Sequence, residues 1–102
     1  MNDRKHRRNL GQNYLIDPVI LFEIERAINP QNNNLFFEIG PGTGALTGQL
    51  MGQNIKVTAM DLDKKNVDML MEKYSDANHE FLHGDVLRES LEFLRISKHR
   101  IV

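Results

Sequence analysis

The segment of this sequence best suited to hold a ligand spans residues 38–44 and reads E-I-G-P-G-T-G. Glycines at alternate positions permit a tight turn and let a ligand approach the backbone closely. A helix-like run follows, and the free N–H groups at a helix start point at the same place. Dinucleotide sites carry G-x-G-x-x-G, whereas the spacing here is G-x-G-x-G, which suits a nucleoside that has no pyrophosphate. A turn that serves only the fold is the alternative.

An aspartate at the end of the next strand-like run extends this candidate site. Asp61 follows residues 55–60, and an acid at this place in a nucleotide-binding βαβ unit accepts hydrogen bonds from ribose hydroxyls. The alternative is that Asp61 or Asp63 only caps the following helix. Asp63 is the better placed of the two for a cap, which leaves Asp61 free for a ribose.

A third acid follows the third strand-like run, at Asp85. Its carboxylate can accept a hydrogen bond from the N6 amino group of an adenine, and Val86 and Leu87 can flank the ring. A plain turn aspartate is the alternative.

Three parallel strands would bring these sites to one crevice, where open α/β sheets bind ligands. A nucleoside site is then the leading interpretation, and S-adenosylmethionine is a nucleoside ligand of the required kind. Glu38 can meet the cationic amino end of such a ligand, directly or through water, or it can face solvent at the strand end. The cofactor-binding candidates from these residues are Glu38, Gly40, Gly42, Gly44, Asp61, Asp85 and Val86.

The elements that must position these residues alternate between strands and helices. Asp17 and Pro18 predict a helix start, and Asn29-Pro30 predicts its end. The expected helices span 18–28, 45–51 and 64–74, the expected strands span 35–39, 55–60, 80–83 and 99–102, and a short helical or irregular stretch spans 86–96. This order predicts βαβ units and a parallel sheet.

Apolar spacing predicts which helical residues face the core. The first internal helix should bury Ala45, Leu46, Leu50 and Met51 and end at Gly52. The next should bury Val67, Leu70, Met71 and Tyr74.

Length and composition exclude several classes of protein. The chain has 102 residues, 40% hydrophobic and 26% charged, which fits one small globular domain. It has no cysteine, which excludes disulfide frameworks, zinc knuckles and thiol nucleophiles and is typical of a reducing compartment. We expect no membrane span, because no apolar run approaches about 18 residues, and no secretory leader.

The charge is unevenly distributed along the chain. Residues 1–10 carry a balance of +3, whereas the remaining residues carry −4. We expect residues 1–16 to form a basic arm that can follow a phosphate backbone, with a solvated chain end as the alternative. The RNA-binding candidates are Arg4, Lys5, Arg7 and Arg8.

Three segments together resemble one family. Residues 10–17 read L-G-Q-N-Y-L-I-D, residues 27–30 read A-I-N-P, and residues 38–47 read E-I-G-P-G-T-G-A-L-T. Over about residues 8–87 the chain resembles the ribosomal RNA adenine dimethyltransferases, and in particular the small-subunit dimethyladenosine transferases.

The resemblance implies a function and a set of contacts. Members dimethylate N6 of two adjacent adenosines near the 3′ end of small-subunit (16S) rRNA, with S-adenosylmethionine as methyl donor. The implied partner is that rRNA within the pre-30S particle, in the cytoplasm, and the implied intact enzyme is a monomer without a metal. Asn13 and Leu15 should touch the methionine end of the cofactor, Gly40 should line the loop beside it, Asp61 (often glutamate in the family) should hold the ribose, and Asp85 should bind adenine N6.

The family's catalytic Asn-Leu-Pro-Tyr motif follows its fourth strand, where this sequence ends at Val102. We therefore expect a Rossmann-like methyltransferase fold truncated after about the fourth parallel strand. Residues 17–102 would be the N-terminal, cofactor-binding part of the domain, with no catalytic residue and without the C-terminal helical domain.

Three other functions stay open at this point. One is a large-subunit rRNA methylase of the antibiotic-resistance type, and another is a non-catalytic fragment that binds RNA or cofactor. The third, an NAD-dependent oxidoreductase half-domain, is disfavoured by the absence of G-x-G-x-x-G.

Overall fold

The structure is a computed structural model that describes residues 17–52, 54–75 and 78–102. The predicted arm, residues 1–16, lies outside the described residues. So do the site candidates that fall on it, which are Arg4, Lys5, Arg7, Arg8, Asn13 and Leu15.

Helices and strands alternate along the described chain as the sequence predicts. The helices are α1 (Pro18–Ile28), α2 (Ala45–Leu50), α3 (Lys64–Lys73) and α4 (Glu92–Ile96). The strands are β1 (Leu35–Ile39), β2 (Lys56–Asp61), β3 (Glu80–His83) and β4 (Arg100–Ile101). Among the described residues, no helix is long and apolar enough to cross a membrane.

The four strands form a parallel sheet in the order β3-β2-β1-β4. The predicted parallel α/β fold is therefore confirmed. Successive strands step from β1 to β3 in one direction, and β4 then pairs on the other side of β1. The strand order thus reverses at β1, and open α/β sheets bind ligands beyond the strand ends at such a point.

The core lies on the face of the sheet that α2 and α3 cover. Phe36 of β1 packs there with Leu50 of α2 and Leu70 of α3, and all three side chains are fully buried. Neighbouring side chains of a strand point to opposite faces, so Phe37 contacts α4 instead. Its ring lies 5.7 Å from the ring of Phe93, edge to face.

Side-chain caps fix the starts of two helices. Asp17 accepts a hydrogen bond from the Val19 N–H (2.9 Å) at the start of α1, with Pro18 at the first helical position. Asp63 accepts one from the Lys65 N–H (2.9 Å) at the start of α3. Both predicted caps are confirmed.

Two details of the helix predictions are wrong. Met71 was expected in the core, but 52% of it is exposed, because α3 meets the sheet along a narrow seam of Val67 and Leu70. Helix α2 ends at Leu50, and Met51 rather than Gly52 is its cap. Met51 is already extended (ψ 124°), so the chain leaves the helix without needing a left-handed glycine.

Arg100 of β4 joins the end of α1 to the sheet. Its guanidinium donates hydrogen bonds to the Ile28 carbonyl (2.6 Å) and to Asn34 Oδ1 (3.2 Å), and it lies 5.2 Å from the centre of the Phe36 ring. The last carbonyls of a helix lack partners within the helix and carry a partial negative charge. Arg100 therefore caps α1 across the sheet edge.

Replacing Arg100 by Met should lower the free energy of unfolding by about 1–2 kcal/mol, because the cation and its bonds to the helix end are lost. Urea denaturation measures the difference. Arg95→Met is the matched control, because Arg95 pairs with Glu92 at the surface of α4. This replacement should lower the free energy of unfolding by less than about 0.5 kcal/mol. Equal losses in the two variants would contradict a capping role for Arg100.

Candidate functional site

The loops that follow β1, β2 and β3 meet at the carboxyl edge of the sheet. The Gly40 N–H donates to the Met60 carbonyl (2.9 Å), which joins the first loop to β2. The Gly84 N–H donates to the Asp61 carbonyl (3.0 Å), which joins the third loop to β2 as well. The structure therefore brings the three segments singled out in the sequence to one place.

The glycine loop, residues 40–44, has two open positions and one packed position. Gly40 (φ +65°), Gly42 (φ +59°) and Gly44 (φ +89°) all adopt left-handed backbone that favours glycine. Within the part of the chain that the structure describes, a Cβ on Gly40 or Gly42 would meet no atom within 4 Å, so a ligand can approach the backbone there. A Cβ on Gly44 would lie 2.5 Å from Leu70 Cδ2. Residue 44 thus favours glycine for two reasons, its left-handed backbone and the close approach of the Leu70 side chain.

Asp61 is the last residue of β2. The sequence suggested a carboxylate left free for a ribose, whereas in the structure both of its oxygens have protein partners. Oδ2 accepts the Gly42 N–H (2.9 Å), and Oδ1 accepts the Asp63 N–H (2.8 Å). Asn66 Nδ2 lies 3.4 Å from Oδ2. Sequence spacing does not reveal the bond to Gly42, which is 19 residues away.

Asp85 begins a turn. One of its carboxylate oxygens bonds within the turn, and the other lies on the partly exposed side. Oδ1 accepts the Leu87 N–H (2.9 Å), which is the usual aspartate turn. Oδ2 lies 3.7 Å from Nε of Arg88, whose side chain is 86% exposed. Such an exposed pair is weak, so Oδ2 stays available to another donor.

Apolar side chains border the three loops. Ile39 follows directly on the buried part of β1, Leu62 follows Asp61, and Leu87 follows the half-buried Val86. Leu87 is 90% exposed and Leu62 is 70% exposed. We call Ile39, Leu62 and Leu87 the apolar rim. Exposed apolar side chains beside convergent polar groups are typical of ligand sites.

Glu38 lies buried beneath the glycine loop. Only 3% of it is exposed, and its Oε1 accepts a hydrogen bond from the Thr47 hydroxyl (2.5 Å). Burial raises the pKa of Glu38 from 4.5 to about 7; the Thr47 bond lowers this pKa, and the negative charge of Asp61 raises it. The alternative of a solvent-facing strand-end acid is therefore wrong.

No sequence pattern singles out Thr47, the partner of Glu38. It is fully buried in the middle of α2, between the apolar positions 46 and 50. A threonine in a short helix carries no periodic signal of burial. Its position three residues before Leu50, on the same helical face, is the one available indication.

The raised pKa of Glu38 predicts a pH-dependent stability. The folded chain keeps a proton on Glu38 up to about pH 7, whereas the unfolded chain loses it near pH 4.5. The Glu38 contribution should therefore fall by about 3 kcal/mol as the pH rises from 4.5 to 7, and stay constant above. Glu38→Gln cannot titrate and keeps an oxygen for Thr47, so its unfolding free energy, measured by urea denaturation from pH 5 to 8, should lack this fall.

A matched variant tests the cause of this pH dependence. Thr47→Val removes the hydroxyl that favours the charged carboxylate, so the pKa of Glu38 should rise further and the fall in stability should extend to higher pH. Thr47→Ser keeps the hydroxyl and should leave the midpoint in place. Identical pH profiles for Glu38→Gln and the parent chain would contradict the assignment to Glu38.

No described group of three or more His, Asp or Glu side chains is arranged to hold a metal ion. The polar groups described at the site are the carboxylates of Asp61 and Asp85 and the backbone N–H groups of the loops. Such a set suits the hydroxyls and amines of an organic ligand.

Comparison with known proteins supplies the family. A family model described as ribosomal RNA adenine dimethylase matches residues 3–100. The ribosomal RNA small subunit methyltransferase A of Pseudomonas putida is 42% identical over 83 residues, which cover 80% of this chain and 31% of the relative. The protein of the same name from Mycoplasma mycoides is 36% identical over 95 residues, which cover 93% of this chain and 35% of the relative.

A solved structure agrees with the sequence comparisons. The crystal structure of a dimethyladenosine transferase from Plasmodium falciparum superposes with a TM-score of 0.67 and 28% identity, over 74% of this chain and 28% of that one. The chain spans about a third of the length of the curated relatives it matches. The resemblance seen in the arm, the end of α1 and the glycine loop is thereby confirmed, and the chain belongs to the ribosomal RNA adenine dimethylase family.

Proposed function

We propose that this chain binds S-adenosylmethionine and forms part of an enzyme that dimethylates N6 of two adjacent adenosines near the 3′ end of small-subunit rRNA. The observation that carries the proposal is the meeting of three strand-end loops. They present an open glycine backbone and the carboxylates of Asp61 and Asp85 at one edge. The names of the curated relatives favour the small subunit over the large one.

The residues at this edge fit the parts of the cofactor. Gly40 and Gly42 leave room for a ligand to lie against the loop. Asp61 would accept from the ribose hydroxyls and Asp85 from the adenine N6 amino group. The apolar rim, with Val86, would cover the faces of the adenine ring. Removing these side chains from water would favour binding.

Glu38 would serve the amino end of the cofactor through its charge. A carboxylate beneath the loop attracts an ammonium group, whereas the protonated form does not. Because the pKa of Glu38 is about 7, binding of a cationic ligand near neutral pH would release a proton. Affinity should accordingly rise with pH toward 7.

The cofactor supplies an electrophilic sulfonium methyl group. This chain would contribute the position in which the cofactor is held. Holding the nucleoside at three strand ends fixes the donor relative to the sheet, and fixed geometry is a large part of catalysis of group transfer. We assign no catalytic residue to this chain. We also propose that Asn13 and Leu15 contact the cofactor and that Arg4, Lys5, Arg7 and Arg8 contact rRNA in the cytoplasmic pre-30S particle. These residues lie outside the described ones.

The adenine contact can be tested by changing the acceptor into a donor. Asp85→Asn keeps an oxygen for the Leu87 N–H but replaces the second acceptor by an amide NH₂. It should weaken S-adenosylhomocysteine about ten- to a hundredfold in calorimetry. S-inosylhomocysteine carries a carbonyl oxygen in place of the N6 amino group, so the variant should prefer it more than the parent chain does. Asp68→Asn, an exposed acid of α3, is the control.

Two outcomes would contradict the proposal in different ways. An unchanged preference between the two nucleosides would remove Asp85 from the adenine site. Binding of NAD by the parent chain without binding of S-adenosylhomocysteine would contradict the methyltransferase function itself.

The rRNA target is tested in cells. Disruption of the gene should abolish N6-dimethylation of adjacent adenosines near the 3′ end of small-subunit rRNA, as read by primer extension. Loss of methylation in large-subunit rRNA instead would assign the chain to the other branch of the family.

A further inference from the structure

Asp61 holds hydrogen bonds to all three loops of the site. Its carboxylate accepts the N–H of Gly42 in the first loop and the N–H of Asp63 in the second. Its backbone carbonyl accepts the N–H of Gly84 in the third. Asp61 lies at the carboxyl end of β2, one of the two central strands of the sheet, and only 8% of it is exposed.

The bond from the Gly42 N–H to Asp61 holds the middle of the glycine loop to β2, inside the turn that the Gly44 N–H closes on the Pro41 carbonyl (2.9 Å). Gly42 has no side chain, and a Cβ placed on it would meet no atom of the described residues within 4 Å, so side-chain packing among those residues does not hold it. The ends of the loop are fixed otherwise, by the bond from Gly40 to Met60 and by the buried contact of Gly44 with Leu70. A bond from an N–H to a charged carboxylate is about twice as strong as one between neutral groups.

We infer that Asp61 is a positioning residue that sets the conformation of the glycine loop, in addition to any contact it makes with a ribose. The carboxylate already accepts two backbone N–H groups, so ribose hydroxyls would share oxygens that hold the loop in place. The ribose part of this inference rests on the proposed function, whereas the loop part does not.

The bond itself can be measured in the unmodified chain. In a ¹⁵N,¹³C-labelled sample, a scalar coupling through the hydrogen bond should connect the Gly42 amide nitrogen with the Asp61 side-chain carboxyl carbon. Absence of the coupling, with the Gly42 amide fully exposed to solvent exchange, would overturn the inference without any variant.

A variant tests whether the bond sets the loop. Asp61→Ala removes both acceptor oxygens, so the N–H groups of Gly42 and Asp63 both lose their partner. Hydrogen exchange at the Gly42 amide should accelerate at least about tenfold, while amides of β2 and α3 keep their rates. Asp63→Ser is the control, because serine retains the helix cap and the backbone N–H that Asp61 accepts. Equal Gly42 rates in Asp61→Ala and the parent chain would contradict a positioning role.

Ligands with and without the ribose hydroxyls separate positioning from direct contact. If Asp61 only contacts the ribose, Asp61→Ala should not affect an S-adenosylhomocysteine analogue that lacks both hydroxyls. If Asp61 positions the loop, the variant should weaken that analogue as well, by at least about fivefold in calorimetry. Unchanged affinity for the analogue would overturn the inference. Failure of the parent chain to bind either nucleoside would instead contradict the proposed function, and the exchange experiment would still decide the loop's dependence on Asp61.

Discussion

Parallel pairing of β1 with β2 is the constraint on which the candidate site depends. The register sets Ile39 opposite Met60, so the glycine loop leaves the sheet beside Asp61. Pairing of β2 with β3 sets Asp61 opposite His83 and brings the turn at Asp85 to the same edge. A shift of one residue would turn every side chain of a strand to the other face. Glu38 would then leave the space beneath α2, and the core residue Phe36 would leave with it.

Two acids sit in this edge with little access to water, and they are stabilised differently. Asp61 accepts several backbone and side-chain donors, whereas Glu38 has the hydroxyl of Thr47 and a raised pKa. A buried carboxylate without enough donors costs stability, so the site weakens the fold at the place where it would bind a cation. The core beneath the loop buries large apolar side chains, Phe36 and Leu70 among them, and this burial offsets the loss of stability.

Local patterns were enough to predict the elements and the edge at which the site forms. Asp17 and Asp63 are of a residue type that is favoured at helix starts. The apolar run 35–39 ends at glycines, which are typical of a turn. The bond from Gly42 to Asp61 could not be predicted, because it joins residues far apart in sequence through a backbone N–H, a group that every residue except proline has. Thr47 and Met71 show another limit of sequence patterns, which concerns the burial of helical side chains. Helical spacing gives the direction of a side chain, but the depth at which the helix packs decides whether that side chain is buried.

The cap that Arg100 places on α1 has a mechanical consequence. An α-helix of 11 residues is a stiff rod about 16 Å long, and a rod fixed at one end and packed along its side has a fixed direction. Arg100 fixes the far end of α1 against β1 and β4, and Leu21 is buried along its length. The sheet therefore also sets the position of Asp17, at the near end of the helix.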